Sequence, residues 1–163
     1  MDMKLGHVAY RTSNMEKSLD FYINKLNLKK HFTLKDPDGG VWLIYLKIAE
    51  GQFLELFYWE NPVDNSDSAF HHVCLLVEDA VAVANDLQNK GIDVYYGPTW
   101  LGNKAPVPFE PKRGKCGSIC FYIEDPDGNQ IEYQEYTDMS LQTMSPEKLK
   151  EIEPLVRNNE YVK

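Results

Sequence analysis

Two histidines and two glutamates, His7, Glu55, His72 and Glu132, recur at matched places in a duplicated pattern. His7 lies in Gly6-His7-Val8-Ala9-Tyr10-Arg11-Thr12-Ser13-Asn14 and His72 in His71-His72-Val73-Cys74-Leu75-Leu76-Val77-Glu78-Asp79, so His7 maps to His72 and Asn14 to Asp79 at an offset of 65 residues. Glu55 lies in Glu50-Gly51-Gln52-Phe53-Leu54-Glu55-Leu56 and Glu132 in Asp127-Gly128-Asn129-Gln130-Ile131-Glu132-Tyr133, at an offset of 77. Two imidazoles and two carboxylates form an N2O2 donor set whose negative charges neutralise a divalent cation. Taken singly, a His near a strand start is ordinarily a polar edge residue. A carboxylate between two buried leucines is odder, because leaving it unpaired is costly. Recurrence of both residue types at repeat-equivalent positions is what singles out these four.

Strands and helices must position them. In a strand alternate side chains share a face, which puts His7 with Ala9 and Arg11, Glu55 with Phe53 and Phe57, His72 with Cys74, and Glu132 with Gln130 and Gln134. Each His-bearing strand runs into a helix start: Ser13-x-x-Glu16 reads as a capping box and Asp79 as an N-cap. Met15, Leu19, Tyr22, Ile23 and Leu26 make one apolar stripe at the helical period, and Ala80, Val83, Ala84 and Leu87 make the other, with Gly91 as a stop.

Strand-like stretches follow at roughly 30–36, 41–48 and 52–59, and again at roughly 92–97, 117–124 and 130–136. Turns at Asp36-Pro37-Asp38-Gly39-Gly40, Glu50-Gly51 and Asp125-Pro126-Asp127-Gly128-Asn129 break them, the last setting the register of the strand that carries Glu132. The growth of the offset from 65 to 77 places an insertion in the irregular stretch Gly97 to Gly117. The expected organisation is an α+β domain over 1–137, with module one at about 4–60 and module two at about 69–137. Residues 138–163 then form a C-terminal surface helix opened by Ser145-Pro146-Glu147, and a frayed tail.

Composition narrows the function classes. The 163 residues carry 17 basic and 25 acidic side chains, a net charge of −8, and 43% apolar positions, enough for a core without staples. The acidic surplus argues against nucleic acid and anionic membranes as partners. No run of 18 apolar residues could span a bilayer, and the start Met1-Asp2-Met3-Lys4-Leu5 lacks a secretory pattern, so the cytoplasm is the expected location. Cys74 and Cys120 read as small buried hydrophobes and Cys116 as a loop residue. His31 and His71 read as surface or partly buried polar residues.

The chain resembles the vicinal oxygen chelate superfamily, glyoxalase I type, over residues 4 to about 136. The motifs that carry the resemblance are Gly6-His7-Val8-Ala9-Tyr10, Phe21-Tyr22, Phe53-Leu54-Glu55-Leu56, His72-Val73-Cys74-Leu75-Leu76-Val77 and Asp125-Pro126-Asp127-Gly128-Asn129-Gln130-Ile131-Glu132. The resemblance implies two βαβββ modules whose sheets curl around a metal, with His7, Glu55, His72 and Glu132 as ligands of one divalent ion per site, nickel, cobalt or zinc. It implies a homodimer, with one His–Glu pair from each of two chains. The implied reaction converts the hemithioacetal of methylglyoxal and a thiol to a lactoyl thioester, by proton abstraction and stabilisation of an enediolate. Glu132 is the expected base, with Glu55 as partner or second base.

Arg11 matches a position that grips a glutathione carboxylate in glyoxalase I. Four residues after the first Glu ligand, where glyoxalase I usually has Asn, this chain has Trp59, with Asn61 nearest. Arg11, Trp59, Asn61 and the basic cluster Lys112, Arg113 and Lys115 are the expected substrate contacts. Two other readings compete. One is a thiol transferase or another metal-dependent enzyme of the superfamily. The other is a metal-free drug-binding resistance protein, whose cleft would suit a chain with three Trp and ten Tyr.

Overall fold

The computed structural model describes residues 4–61, 69–158 and 160–162; Met1 to Met3, read above for a leader, lie outside the described residues. The chain divides into two compact units, Met1–His71 with Asp125–Asn129, and His72–Glu124 with Gln130–Lys163.

The first unit follows a strand, helix and three-strand order. Strand β1 (His7–Thr12) leads into α1 (Met15–Leu19), which continues as a π-helical turn over Asp20–Lys25. Strands β2 (Lys29–Lys35), β3 (Val41–Ala49) and β4 (Gln52–Tyr58) follow. The sheet order is β1-β4-β3-β2, with β1 parallel to β4 and the other pairs antiparallel. A parallel β1–β4 pair needs a crossover, and the helical segment with β2 and β3 supplies it. One face carries the core: Tyr10, Ile44, Leu46, Leu54 and Leu56 are buried, as are Ser18, Phe21 and Tyr22 of the helical segment.

The cap of α1 differs from the expectation. Asn14, not Ser13, is the N-cap, its side chain accepting from the Lys17 amide. The Ser13 amide faces Asp127 Oδ1 at 3.5 Å. The Asp-Pro-Asp-Gly-Asn turn is a fitted part of this unit. Asp125 Oδ1 accepts from the amides of Asp127 and Asn129, Asp125 Oδ2 accepts from the Tyr22 hydroxyl at 2.6 Å, and Ser18 donates to Asp127. Burial holds the Asp125 carboxyl above the ordinary Asp value, opposed by these hydrogen bonds, of which Tyr22 is the strongest.

The second unit has β5 (Val73–Leu76), α2 (Ala80–Asn89), β6 (Ile119–Glu124) and β7 (Gln130–Glu135), in a sheet ordered β5-β7-β6 with β5 parallel to β7. Asp79 caps α2 as expected, accepting from the Ala82 amide, and Glu135 accepts from the Ala80 amide. Ala80, Ala84 and Leu87 are buried, as are Phe121, Ile123, Ile131 and Tyr133, with Phe121 stacked on Tyr133 at 5.0 Å.

The strand expected at roughly 92–97 shrinks to one residue. Tyr95 exchanges two backbone hydrogen bonds with Tyr122, and Gly97-Pro98 then turns the chain into a short 3-10 turn at Thr99–Leu101. Cys74 also departs from the expectation. It is exposed, on the face of β5 shared with Glu132. After residue 138 a helix α3 (Pro146–Arg157) is capped by Ser145, and the tail beyond is anchored by the Tyr161 hydroxyl donating to the Met139 carbonyl. None of the described helices is long and apolar enough to cross a membrane.

Candidate metal centre

In the first unit, the parallel pairing of β1 with β4 sets Ala9 opposite Glu55, and His7 opposite Phe53. His7 and Glu55 therefore share a face, and His7 Nε2 lies 3.7 Å from Glu55 Oε1. Glu55 is 5% exposed, whereas about half of the His7 side chain reaches solvent. On the other side of Glu55 its cross-strand partner is Tyr45, which meets the His7 ring edge-on at 6.1 Å.

The second unit repeats the arrangement. His72, immediately before β5, places Nε2 3.1 Å from Glu132 Oε2, and Glu132 is 7% exposed. Tyr122 is the cross-strand partner of Glu132 and meets the His72 ring edge-on at 5.4 Å. Cys74 pairs with Glu132 from the other flank, so its thiol and the Tyr122 hydroxyl both stand beside the carboxylate. Desolvation first, then the negative Glu132, push the Cys74 thiol up to about 12 and hold the Tyr122 hydroxyl well above the ordinary tyrosine value. Cys120 is pushed up to about 11, by desolvation and then by Glu132. Both cysteines thus carry protons at neutral pH and are poor nucleophiles.

The four expected ligands are brought together two by two, His7 with Glu55 and His72 with Glu132. Among the described residues no group of three or more His, Cys, Asp and Glu is arranged to hold a metal ion. Each pair nevertheless has donors suited to one. Two ligands about 2.1 Å from a cation and at right angles to each other stand about 3.0 Å apart. The 3.1 Å separation of His72 and Glu132 is that of adjacent ligands, and the 3.7 Å of His7 and Glu55 is slightly wider.

Of the expected substrate contacts, Arg11 and Trp59 meet. Arg11 lies over the Trp59 ring, 5.0 Å from its centroid, and Asn61 is exposed beyond the end of β4. Lys112 sits over the Tyr96 ring at 3.9 Å, Arg113 faces Asp138 at 3.8 Å, and Lys115 is exposed. The basic cluster is thus spent on separate neighbours. The Tyr45 and Tyr122 positions escaped the sequence reading, although the 77-residue offset that aligns Glu55 with Glu132 aligns these two as well.

Comparison with known proteins agrees with the fold. A family model described as Glyoxalase/Bleomycin resistance protein/Dioxygenase superfamily matches residues 4–133. A lactoylglutathione lyase of Neisseria meningitidis serogroup A is 29% identical over 135 residues, covering 80% of this chain and 89% of its own. Two solved structures share the fold. A glyoxalase family protein from Enterococcus faecalis has a TM-score of 0.63 at 22% identity, over 81% of this chain and 97% of its own. An antibiotic binding protein from a Streptomyces species has a TM-score of 0.60 at 20% identity, over 83% and 98%. The chain belongs to the glyoxalase/bleomycin resistance protein/dioxygenase superfamily.

Proposed function

We propose that this chain is a metal-dependent lyase of the glyoxalase I type, converting a methylglyoxal–thiol hemithioacetal to a lactoyl thioester. The observation that carries the reading is the paired geometry: each unit presents one imidazole and one nearly buried carboxylate, 3.7 Å and 3.1 Å apart, at repeat-equivalent positions. Relatives named lactoylglutathione lyase at 26–29% identity support it. His7, Glu55, His72 and Glu132 would hold one divalent ion, nickel, cobalt or zinc, with the two pairs meeting in a homodimer. When bound, that ion supplies positive charge to substrate oxygens that become negative as the neighbouring carbon loses its proton.

The chain's own residues do the proton work. Glu132 takes the proton from the carbon bearing sulfur and returns it to the adjacent carbonyl carbon, so substrate and product are isomers and no co-reactant is needed. Tyr122 and Cys74 flank the Glu132 carboxylate on its two sides. Glu55 faces Ala9 where Glu132 faces Cys74. The three cysteines are free thiols, as suits a reducing cytoplasm.

The test is elemental analysis and calorimetric titration with nickel, cobalt and zinc, followed by an assay of methylglyoxal with several thiols. About one ion per site and activity dependent on it are expected. Activity that survives His72→Ala would overturn the assignment.

A further inference from the structure

We propose that the Arg11 end of the first unit is a binding site for an aromatic carboxylate. A cavity of about 340 Å³, within the size range of small-molecule sites, opens at the ends of β1 and β4 beside the start of β3. Its walls include Arg11, Trp42, Phe57, Tyr58 and Trp59. Trp42 and Phe57 pack edge to face at 5.8 Å, and Trp42 and Trp59 are left 50% and 45% exposed.

The chemistry of the walls selects the ligand. Arg11 is the single charged group in the lining, and its guanidinium is held over Trp59. In a chain of net charge −8, Arg11 has no acidic partner among the described residues. A stacked guanidinium keeps its edge N–H groups free, and these match the two oxygens of a carboxylate. The rest of the lining is five aromatic rings and Ala9, which suits a flat, largely apolar body. A glutathione tail carries a carboxylate but no flat apolar body to cover the rings. An aryl ring carrying one carboxylate satisfies both halves of the cavity. Arg11 lies four residues, or about 13 Å, from His7 on the same face of β1, so the cavity is a separate subsite on the face that carries the first His–Glu pair.

The site needs no metal, so its test is separate from that of the proposed lyase activity. Metal-stripped full-length protein is titrated by calorimetry with 2-naphthoate, cyclohexanecarboxylate and glutathione. Binding of 2-naphthoate at least tenfold tighter than either of the others is expected. Arg11→Ala and Trp59→Ala should each weaken naphthoate at least fivefold, while Trp59→Phe, which keeps a ring under the guanidinium, recovers most of the affinity. Circular dichroism of each variant verifies that it is folded. Naphthoate binding no tighter than cyclohexanecarboxylate, tighter binding of glutathione, or naphthoate affinity unchanged in folded Arg11→Ala would overturn the proposal.

Discussion

Tyr45 and Tyr122 stand directly across the sheet from Glu55 and Glu132, and each meets the histidine of its own module edge-on. The pairing is therefore of three residues per module. The modules differ on the opposite flank, where Ala9 faces Glu55 and Cys74 faces Glu132.

Removing the groups that flank Glu132 should loosen it without unfolding the sheet. Tyr122→Phe removes the hydroxyl of the cross-strand partner of Glu132, and a hydrogen bond from such a group to a carboxylate in the reacting complex is worth about 1.5–3 kcal/mol. A fall of roughly tenfold or more in kcat is expected, with KM within twofold and Tm nearly unchanged. Cys74→Ala should do the same more weakly, because a thiol is a poorer donor. Steady-state kinetics and thermal melts check both, and a wild-type kcat in Tyr122→Phe would show that the hydroxyl does not position Glu132.

Glu55→Gln separates two chemistries of the superfamily. Gln keeps an oxygen donor and the shape of Glu55 but removes its charge. An isomerase that needs four charged or imidazole ligands should lose about a hundredfold or more in activity. A thiol transferase that needs three protein ligands should retain most of its own. Parallel assays of methylglyoxal isomerisation and thiol addition to an epoxide on the same preparation distinguish the outcomes.

Asp125 should give stability a pH dependence of definite sign. Its carboxyl titrates above the ordinary Asp value when folded, chiefly through burial. The folded state therefore keeps the proton to higher pH than the unfolded chain. The contribution to stability is present below about pH 4, the ordinary value, and is lost as pH rises through the raised folded value. Denaturant unfolding across this range should show a decline in wild type that Asp125→Asn flattens. An equal slope in both proteins would remove Asp125 as its source.

Gly117→Ala should be strongly destabilising. Gly117 has φ +83°, and an added Cβ would lie 1.9 Å from the Met139 carbonyl oxygen, a backbone atom. Left-handed backbone costs about 1–2 kcal/mol for a residue with a Cβ, and the collision adds to it. A loss of at least about 2 kcal/mol in denaturant melts is expected, whereas Gly114→Ala meets mainly the Cys120 sulfur.

Much of the architecture was legible because the chain repeats its own pattern. The two offsets paired both histidines and both glutamates, and Asp79 and Ser145 cap helices where their sequence context says they should. Local signals failed where distant residues intervened. The first helix is capped by Asn14, one residue beyond the Ser13 that the capping-box pattern offered, next to a contact from Asp127. Pro98 and the inserted loop cut a strand down to Tyr95. An apolar run hid the outward face of Cys74, since a four-residue strand covered on one side reads like one covered on both. Lys112, Arg113 and Lys115 are adjacent in sequence, yet their partners Tyr96 and Asp138 come from far along the chain.

The Asp125–Asn129 turn packs with the first unit, although the strands on either side of it belong to the second. Cutting the gene between residues 71 and 72 would leave the amino-terminal half without the acceptor for the Tyr22 hydroxyl and without the carboxylate that Ser18 addresses. The halves repeat one pattern but are not interchangeable parts, because the first unit is completed by a turn that the chain delivers only after residue 124.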